Sequence, residues 1–193
     1  MTTEREESSS TENAFGRPSG YTAMSTESGE DDLVNVYVAG VFDAEHAIRV
    51  GIEKSDSHRV GYQIVPKIEL RSTSRELVNV VLNWLRSVGV HARMENRGTN
   101  RSSYLIQIEK RDDVERVIEA IRPYLIVQDR TADVVLEEII GRLNEDRVIT
   151  KERFVEMVGY ADSLPDISPG NKKYTASYFR EEFGLEEPEE AED

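Results

Sequence analysis

Asp43 and Glu45, two acids two residues apart in the stretch VAGVFDAEHAI (residues 38–48), are the side chains best placed to do chemistry. Their surroundings read as the end of a helix, with an apolar, β-branched run directly after it. A helix C-terminus carries partial negative charge, so carboxylates there are disfavoured unless something positive offsets them. A bound metal ion is one candidate. Other chemistries are poorly supplied. The chain has no Cys, which excludes disulfides and thiolate metal sites. His46, His58 and His91 are too scattered for a ligand set. The Ser-rich stretches hold no nucleophile arrangement, and no Gly-rich loop precedes a helix to cradle phosphate.

Length and charge bound the setting. A chain of 193 residues suggests one domain, or one domain with tails. Apolar residues make up 38%, enough for a sizeable core. No apolar run approaches the roughly 20 residues that span a bilayer, and the first twenty residues lack the apolar stretch of a signal peptide, so a cytoplasmic location is expected. The net charge of −14 argues at first against nucleic acid. Its distribution argues otherwise: residues 47–110 hold 11 Lys+Arg against 6 Asp+Glu, so the acidity belongs to the rest of the chain. Of the 24 basic residues only 6 are Lys. An acidic, Lys-poor surface is expected of a protein from a high-salt habitat, where net charge maintains solubility.

The acids need a scaffold. Residues 1–31 are rich in Ser, Thr, Glu and Gly and are expected to be a disordered tail, as is the acidic tail at 184–193. Between them a first helix is expected over about Asp32–Ala44. Its Ala39, Gly40 and Ala44 are nearly bare of side chains, which lets a second helix come close. Two strands follow. Ile48, Val50 and Ile52 alternate with Arg49, Gly51 and Glu53. Ile64, Pro66, Ile68 and Leu70 alternate with Gln63, Val65, Lys67, Glu69 and Arg71. Pro66 cannot donate to a ladder and should lie at an edge or bulge. Thr73 and Glu76 fit a capping box for a helix with Leu77, Val81, Trp84, Leu85 and Val88 as its core stripe, ended by Gly89. Strands VHARME and SYLIQIE come next, then helices in DDVERVIEAI and TADVVLEEIIGRL, one capped by Thr150, and a last one over about Tyr174–Phe183.

The order αββαββα implies an α+β fold: a curved four-stranded antiparallel sheet with helices on one face. The open face would carry Arg49, Gln63, Lys67, Glu69, Arg71, His91, Arg93 and Gln107. Long Arg and Gln side chains suit phosphates and base edges, and a curved β surface fits the major groove of duplex DNA.

With this order in place, VAGVFDAEH resembles the nine-residue LAGLIDADG motif of homing endonucleases. Ala39, Gly40, Asp43 and Ala44 match outright, Glu45 stands for the second acid, and His46 replaces the final Gly. GYQIVPKIEL, RPYLIVQDRTADVVLEEIIGRL and RFVEMVGYADSL are similar to later segments of that family, so the resemblance covers about residues 32–183. A single motif implies half of a DNA-binding saddle. The chain is then expected to pair as a homodimer through Ala39, Gly40 and Ala44, and to take a pseudo-palindromic double-stranded DNA site. The resemblance makes Glu45 of each chain the ligand of Mg²⁺ or another divalent cation, which keeps several waters and prefers carboxylate and phosphate oxygen.

Two departures fall beside that acid. Ser72 stands where the family commonly has Gln, and Gln128 where it commonly has a Lys that activates water or stabilises charge. Glu45, Gln128 and Ser72 are thus the expected catalytic set, without the usual cation. The reading that results is a homodimeric, metal-dependent, site-specific DNA endonuclease that cleaves slowly. Its alternative is a non-cleaving DNA binder, a maturase or regulator, on the same scaffold. A structural domain without nucleic acid would need the charge asymmetry to be accidental.

Overall fold

Alternating apolar residues build the sheet that carries the site. The computed structural model describes residues 29–98, 103–146, 148–164 and 173–186. The expected disordered tails fall mostly on residues outside that set. Helix α1 spans Gly29–Glu45 and so opens three residues earlier than the sequence suggests. Strands β1 (Ile48–Lys54) and β2 (Tyr62–Ser72) follow, then α2 (Arg75–Ser87), β3 (Met94–Asn96) and β4 (Tyr104–Ile108). Helix α3 (Arg111–Ile121) leads through a 3-10 turn at Arg122–Tyr124 to α4 (Asp129–Asp133), a π-wound stretch over Val134–Gly141, and α5 (Arg142–Glu145). Helices α6 (Lys151–Asp162) and α7 (Ala176–Phe183) complete the order.

The sheet is four-stranded and antiparallel throughout, in the order β1-β2-β4-β3. One face carries Ile48, Val50, Ile52, Ile64, Ile68, Leu70, Ile106 and Ile108 into the core, where α2, α3 and the helices after them cover it. The opposite face is the open one. This is the α+β architecture the sequence implies.

Several local expectations shift. Pro66 lies in the ladder, opposite Val50. Pairing of β2 with β4 begins only at Ile68, so the side of β2 that Pro66 turns away from β1 has no neighbouring strand there. A missing N–H is harmless at such a position. The cap of α2 is Ser74, not Thr73: the Ser74 hydroxyl accepts from the Leu77 N–H, and Glu76 instead accepts from the Ser74 hydroxyl. The buried face of α2 is Val78, Val81, Leu82, Trp84 and Leu85, while Leu77 and Val88 are only partly buried. Gly89 ends it in the left-handed region, φ 79°, which glycine enters without strain. Thr150 caps α6 as expected.

Only the last residues of VHARME form a strand. β3 pairs with β4 only from Met94, opposite Ile106, although β4 itself runs on to Ile108. His91 and Arg93 are therefore residues of the connection between α2 and β3, not strand residues of the open face. The helix expected over TADVVLEEIIGRL is continuous, but its middle is wound with i→i+5 bonds, a winding that is rare and often lies near functional sites. Val135, Ile139 and Ile140 face the core.

Candidate metal-binding acid and nucleic-acid interface

The two acids at the end of α1 have different fates. The helix ends as the Ala47 N–H donates to the Phe42 carbonyl at 3.1 Å and His46 takes a positive φ of 47°. Asp43 is buried. Its two carboxylate oxygens accept the N–H groups of Ile126 and Gln128, both at 2.8 Å. Its charge at a helix C-terminus is thus offset by amide dipoles, not by a metal. Glu45 is exposed, and its carboxylate makes no hydrogen bond or ion pair among the described residues. No basic residue lies in the last turn of α1.

A divalent cation fits Glu45 in kind, since an unengaged carboxylate is a hard oxygen ligand. It does not fit one chain by itself. Among the described residues no three His, Asp or Glu side chains come together as a metal-binding group. The remaining ligands must come from phosphate, water or a second copy.

The other two residues of the expected set are engaged elsewhere. Gln128 is only 1% exposed. Its Oε1 accepts from the Ile48 N–H at 3.2 Å and its Nε2 donates to the Ile48 carbonyl at 3.1 Å, so the amide clamps the first residue of β1. Ser72 closes β2, where its hydroxyl accepts the Ser74 N–H at 3.2 Å. β2 meets the α1–β1 turn earlier, where the Glu69 N–H donates to the Ala47 carbonyl at 2.8 Å. Ser72 lies three residues further on, roughly 10 Å of strand.

The open face begins beside that turn. Arg49 stands opposite Lys67, and Glu69 opposite Gln107. Glu69 receives both Arg71 at 2.9 Å and Lys67 at 3.9 Å. Gly51 leaves the space over which the Lys67 chain lies, since a Cβ there would stand 3.7 Å from its ammonium nitrogen. Gln63 donates to Glu53 at 3.2 Å, and Gln107 donates to Glu109. The Nε of Arg49 is buried with no hydrogen-bond partner among the described residues. An orphan buried donor calls for an explanation, and an incoming acceptor supplies one. Leu105 shares this face, on the alternation of β4, and is buried beneath its polar neighbours. Of the eight residues expected on the face, six lie there, and His91 and Arg93 sit outside it.

The bare side of α1 also needs correction. Ala39 is 0% exposed and belongs to the core with Val38 and Phe42, where Phe42 packs edge-on to Trp84 and Trp84 donates to Asn35 at 2.8 Å. The outward stripe is instead Leu33, Tyr37, Gly40 and Ala44, one face of a helix at steps of four, three and four. Leu33 is 68% and Tyr37 50% exposed, large values for such side chains. Val36 is exposed as well, and so are Ile126 and Val127, from the loop whose amides grip Asp43. The spacing of 33, 37, 40 and 44 is visible in the sequence. It is passed over when attention stays on small residues alone.

This correction separates two substitutions. A side chain at Gly40 meets nothing within 4 Å in this chain, so Gly40→Leu should not strain the fold, and its better helix propensity should stabilise it by up to about 1 kcal/mol. A loss should appear only in association, as a shift toward monomer in analytical ultracentrifugation. Ala39→Leu should instead destabilise the fold by about 1–3 kcal/mol through overpacking, seen as a lower urea midpoint. If Gly40→Leu lowered the melting temperature while sedimenting like the parent, the outward assignment would be wrong.

No family model matches the sequence, and no curated protein matches it. Solved structures do match. An archaeal intron-encoded homing endonuclease complexed with DNA, I-Vdi141I, superposes with a TM-score of 0.65 at 18% identity, covering 78% of this chain and 94% of that one. The homing endonuclease I-CvuI, in complex with the I-CreI target in the presence of 2 mM Mg with the DNA not cleaved, gives 0.61 at 21% identity over 78% and 92%. I-SmaMI, described as a LAGLIDADG homing endonuclease bound to cleaved DNA, gives 0.58 at 14% identity over 78% of this chain and 47% of its own.

Proposed function

The chain has the fold of the LAGLIDADG homing endonucleases, and from that premise we propose that it is a homodimeric, metal-dependent, site-specific endonuclease of double-stranded DNA that cleaves slowly. The observation that carries the proposal is Glu45. It is an exposed carboxylate with no partner among the described residues, held at the edge of a sheet face that presents Arg49, Lys67 and Arg71. The named neighbours were solved with DNA, and I-CvuI in the presence of Mg with its DNA not cleaved, which supports DNA as the partner and a divalent cation beside it. The stripe Leu33–Tyr37–Gly40–Ala44 supports pairing of two copies, hence a pseudo-palindromic site. No helix among the described residues is long and apolar enough to cross a membrane, and the acidic, Lys-poor composition suits a cytoplasm at high salt.

Glu45 of each copy would hold Mg²⁺ or another divalent cation. Such an ion, when bound, lowers the pKa of its water and stabilises the leaving oxygen. The chain's own residues bind and orient the duplex. Arg49, with its unsatisfied Nε, donates to a phosphate or base oxygen. Arg71, pre-oriented by Glu69, is placed for bidentate contact with guanine. Gln63, Gln107 and Glu69 offer amide and carboxylate groups to base edges. Gln128, at the position where the family pattern has a lysine, is buried against Ile48 and supplies no charge to the phosphate, so one stabiliser of developing charge is missing, and slow turnover follows.

Two measurements test this. Metal-dependent nicking of a library of random duplexes should enrich one pseudo-palindromic site. Alanine replacement of Arg49, Lys67 or Arg71 should flatten the slope of log K against log salt by about 0.9 for each phosphate no longer neutralised. Three variants that bind like the parent would remove the open face as the DNA surface. Tight, specific binding without nicking would turn the reading to a non-cleaving DNA binder.

A further inference from the structure

Glu45 does no more than end a helix unless something fixes where that helix ends. Three separate pieces of chain meet behind it. The Asp43 carboxylate accepts the Ile126 and Gln128 N–H groups at 2.8 Å, and the Gln128 amide holds both the N–H and the carbonyl of Ile48. Asp43 is two residues before Glu45 and Ile48 three after it. The turn Glu45–Ala47 is therefore pinned on both flanks to one loop, Leu125–Gln128, by these hydrogen bonds. Asp43 and Gln128 are both more than nine-tenths buried, and Thr131, one helical turn beyond Gln128, is buried with them. Buried polar groups whose partners are all in place rigidify what they join. The turn itself carries strain, since His46 has a positive φ, and such conformations persist only where their surroundings over-determine them.

We propose that Asp43 and Gln128 are positioning residues: acting as one clamp, they set the turn that presents Glu45, and neither touches metal, water or DNA. The proposal rests on the endonuclease reading for its consequence in catalysis, though not for the clamp's action on the turn. A carboxylate that must meet a metal between two protein copies has little positional tolerance, because misplacement by about 1 Å costs on the order of 10²-fold in rate.

The test uses the full chain with Asp43→Asn and Gln128→Leu. The first keeps shape but puts an amide nitrogen against one of the two N–H donors; the second keeps bulk and removes both bonds to Ile48. Amide hydrogen exchange, with assignments at single residues, reads the turn without reference to cleavage. Glu45, His46 and Ala47 should exchange at least tenfold faster in both variants, beyond any increase at the Val78–Leu85 amides of α2, whose rates follow global stability. Single-turnover cleavage of the selected duplex should then fall about 10²-fold, with the Mg²⁺ concentration for half-maximal rate raised about tenfold and duplex affinity in EDTA unchanged. Unchanged exchange at 45–47 would overturn the clamp whatever the enzyme does. Faster exchange at 45–47 with parental cleavage and parental Mg²⁺ dependence would overturn its positioning role. A parent that never cleaves, with exchange altered as expected, would sink the endonuclease reading and leave the clamp's hold on the turn standing.

Discussion

Glu45→Gln is expected to lower single-turnover DNA cleavage by about 10³-fold, close to 4 kcal/mol in activation free energy, while duplex affinity in EDTA stays within about threefold. The substitution is nearly isosteric and exchanges a charge-bearing oxygen for an amide nitrogen. The parent side chain is exposed and makes no hydrogen bond or ion pair among the described residues, so folding has little to lose. Binding has little to lose either, because Arg49, Lys67 and Arg71 stand on the sheet and not on the helix end. What goes is the carboxylate at the helix end that is able to hold a divalent cation. Asp43 cannot replace it, since both its oxygens are taken by backbone amides. Asp43→Asn and Glu45→Gln should accordingly separate in their melting curves: the first lowers the transition, the second does not. Cleavage by Glu45→Gln at the parental rate would refute the metal assignment outright.

The sequence makes some of this legible and hides the rest for identifiable reasons. Strand alternation locates the open face, because burial at period two leaves no other register for Ile64, Ile68 and Leu70. It fails for His91 and Arg93, whose apolar-polar alternation continues on the N-terminal side of Met94, where pairing with β4 begins. Composition marks Ala39 and Gly40 as equally bare, yet a helix places adjacent residues about 100° apart, so one packs into the core and the other looks outward. The two acids read as a pair in the sequence, and only the fold divides them. The division depends on loop amides 83 and 85 residues away from Asp43, and contacts between positions so far apart leave no periodic trace. The same holds for Gln128. Its place in a family pattern suggests chemistry, while its actual partner, the backbone of Ile48, lies 80 positions away.

That difference reverses what a lysine at position 128 should do. From the pattern alone, Gln128→Lys restores a missing cation and speeds cleavage. The structure instead puts the new ammonium where a 1%-exposed amide serves an N–H and a carbonyl together. A lysine has no acceptor, so the Ile48 N–H would be left without its partner. Asp43 is near, but its oxygens are engaged, and an unpaired buried charge destabilises by about 3–5 kcal/mol. For a domain of this size each kcal/mol moves the midpoint by roughly 2–4 °C, so a fall of about 6–20 °C is expected. The cleavage rate should fall with it, because the broken clamp releases the turn that carries Glu45. Differential scanning calorimetry and single-turnover kinetics on the same preparation decide the matter. A lysine variant as stable as the parent and faster at cleaving would mean that position 128 opens toward the scissile phosphate when DNA is bound, and that the hydrogen bonds to Ile48 are not what holds the site.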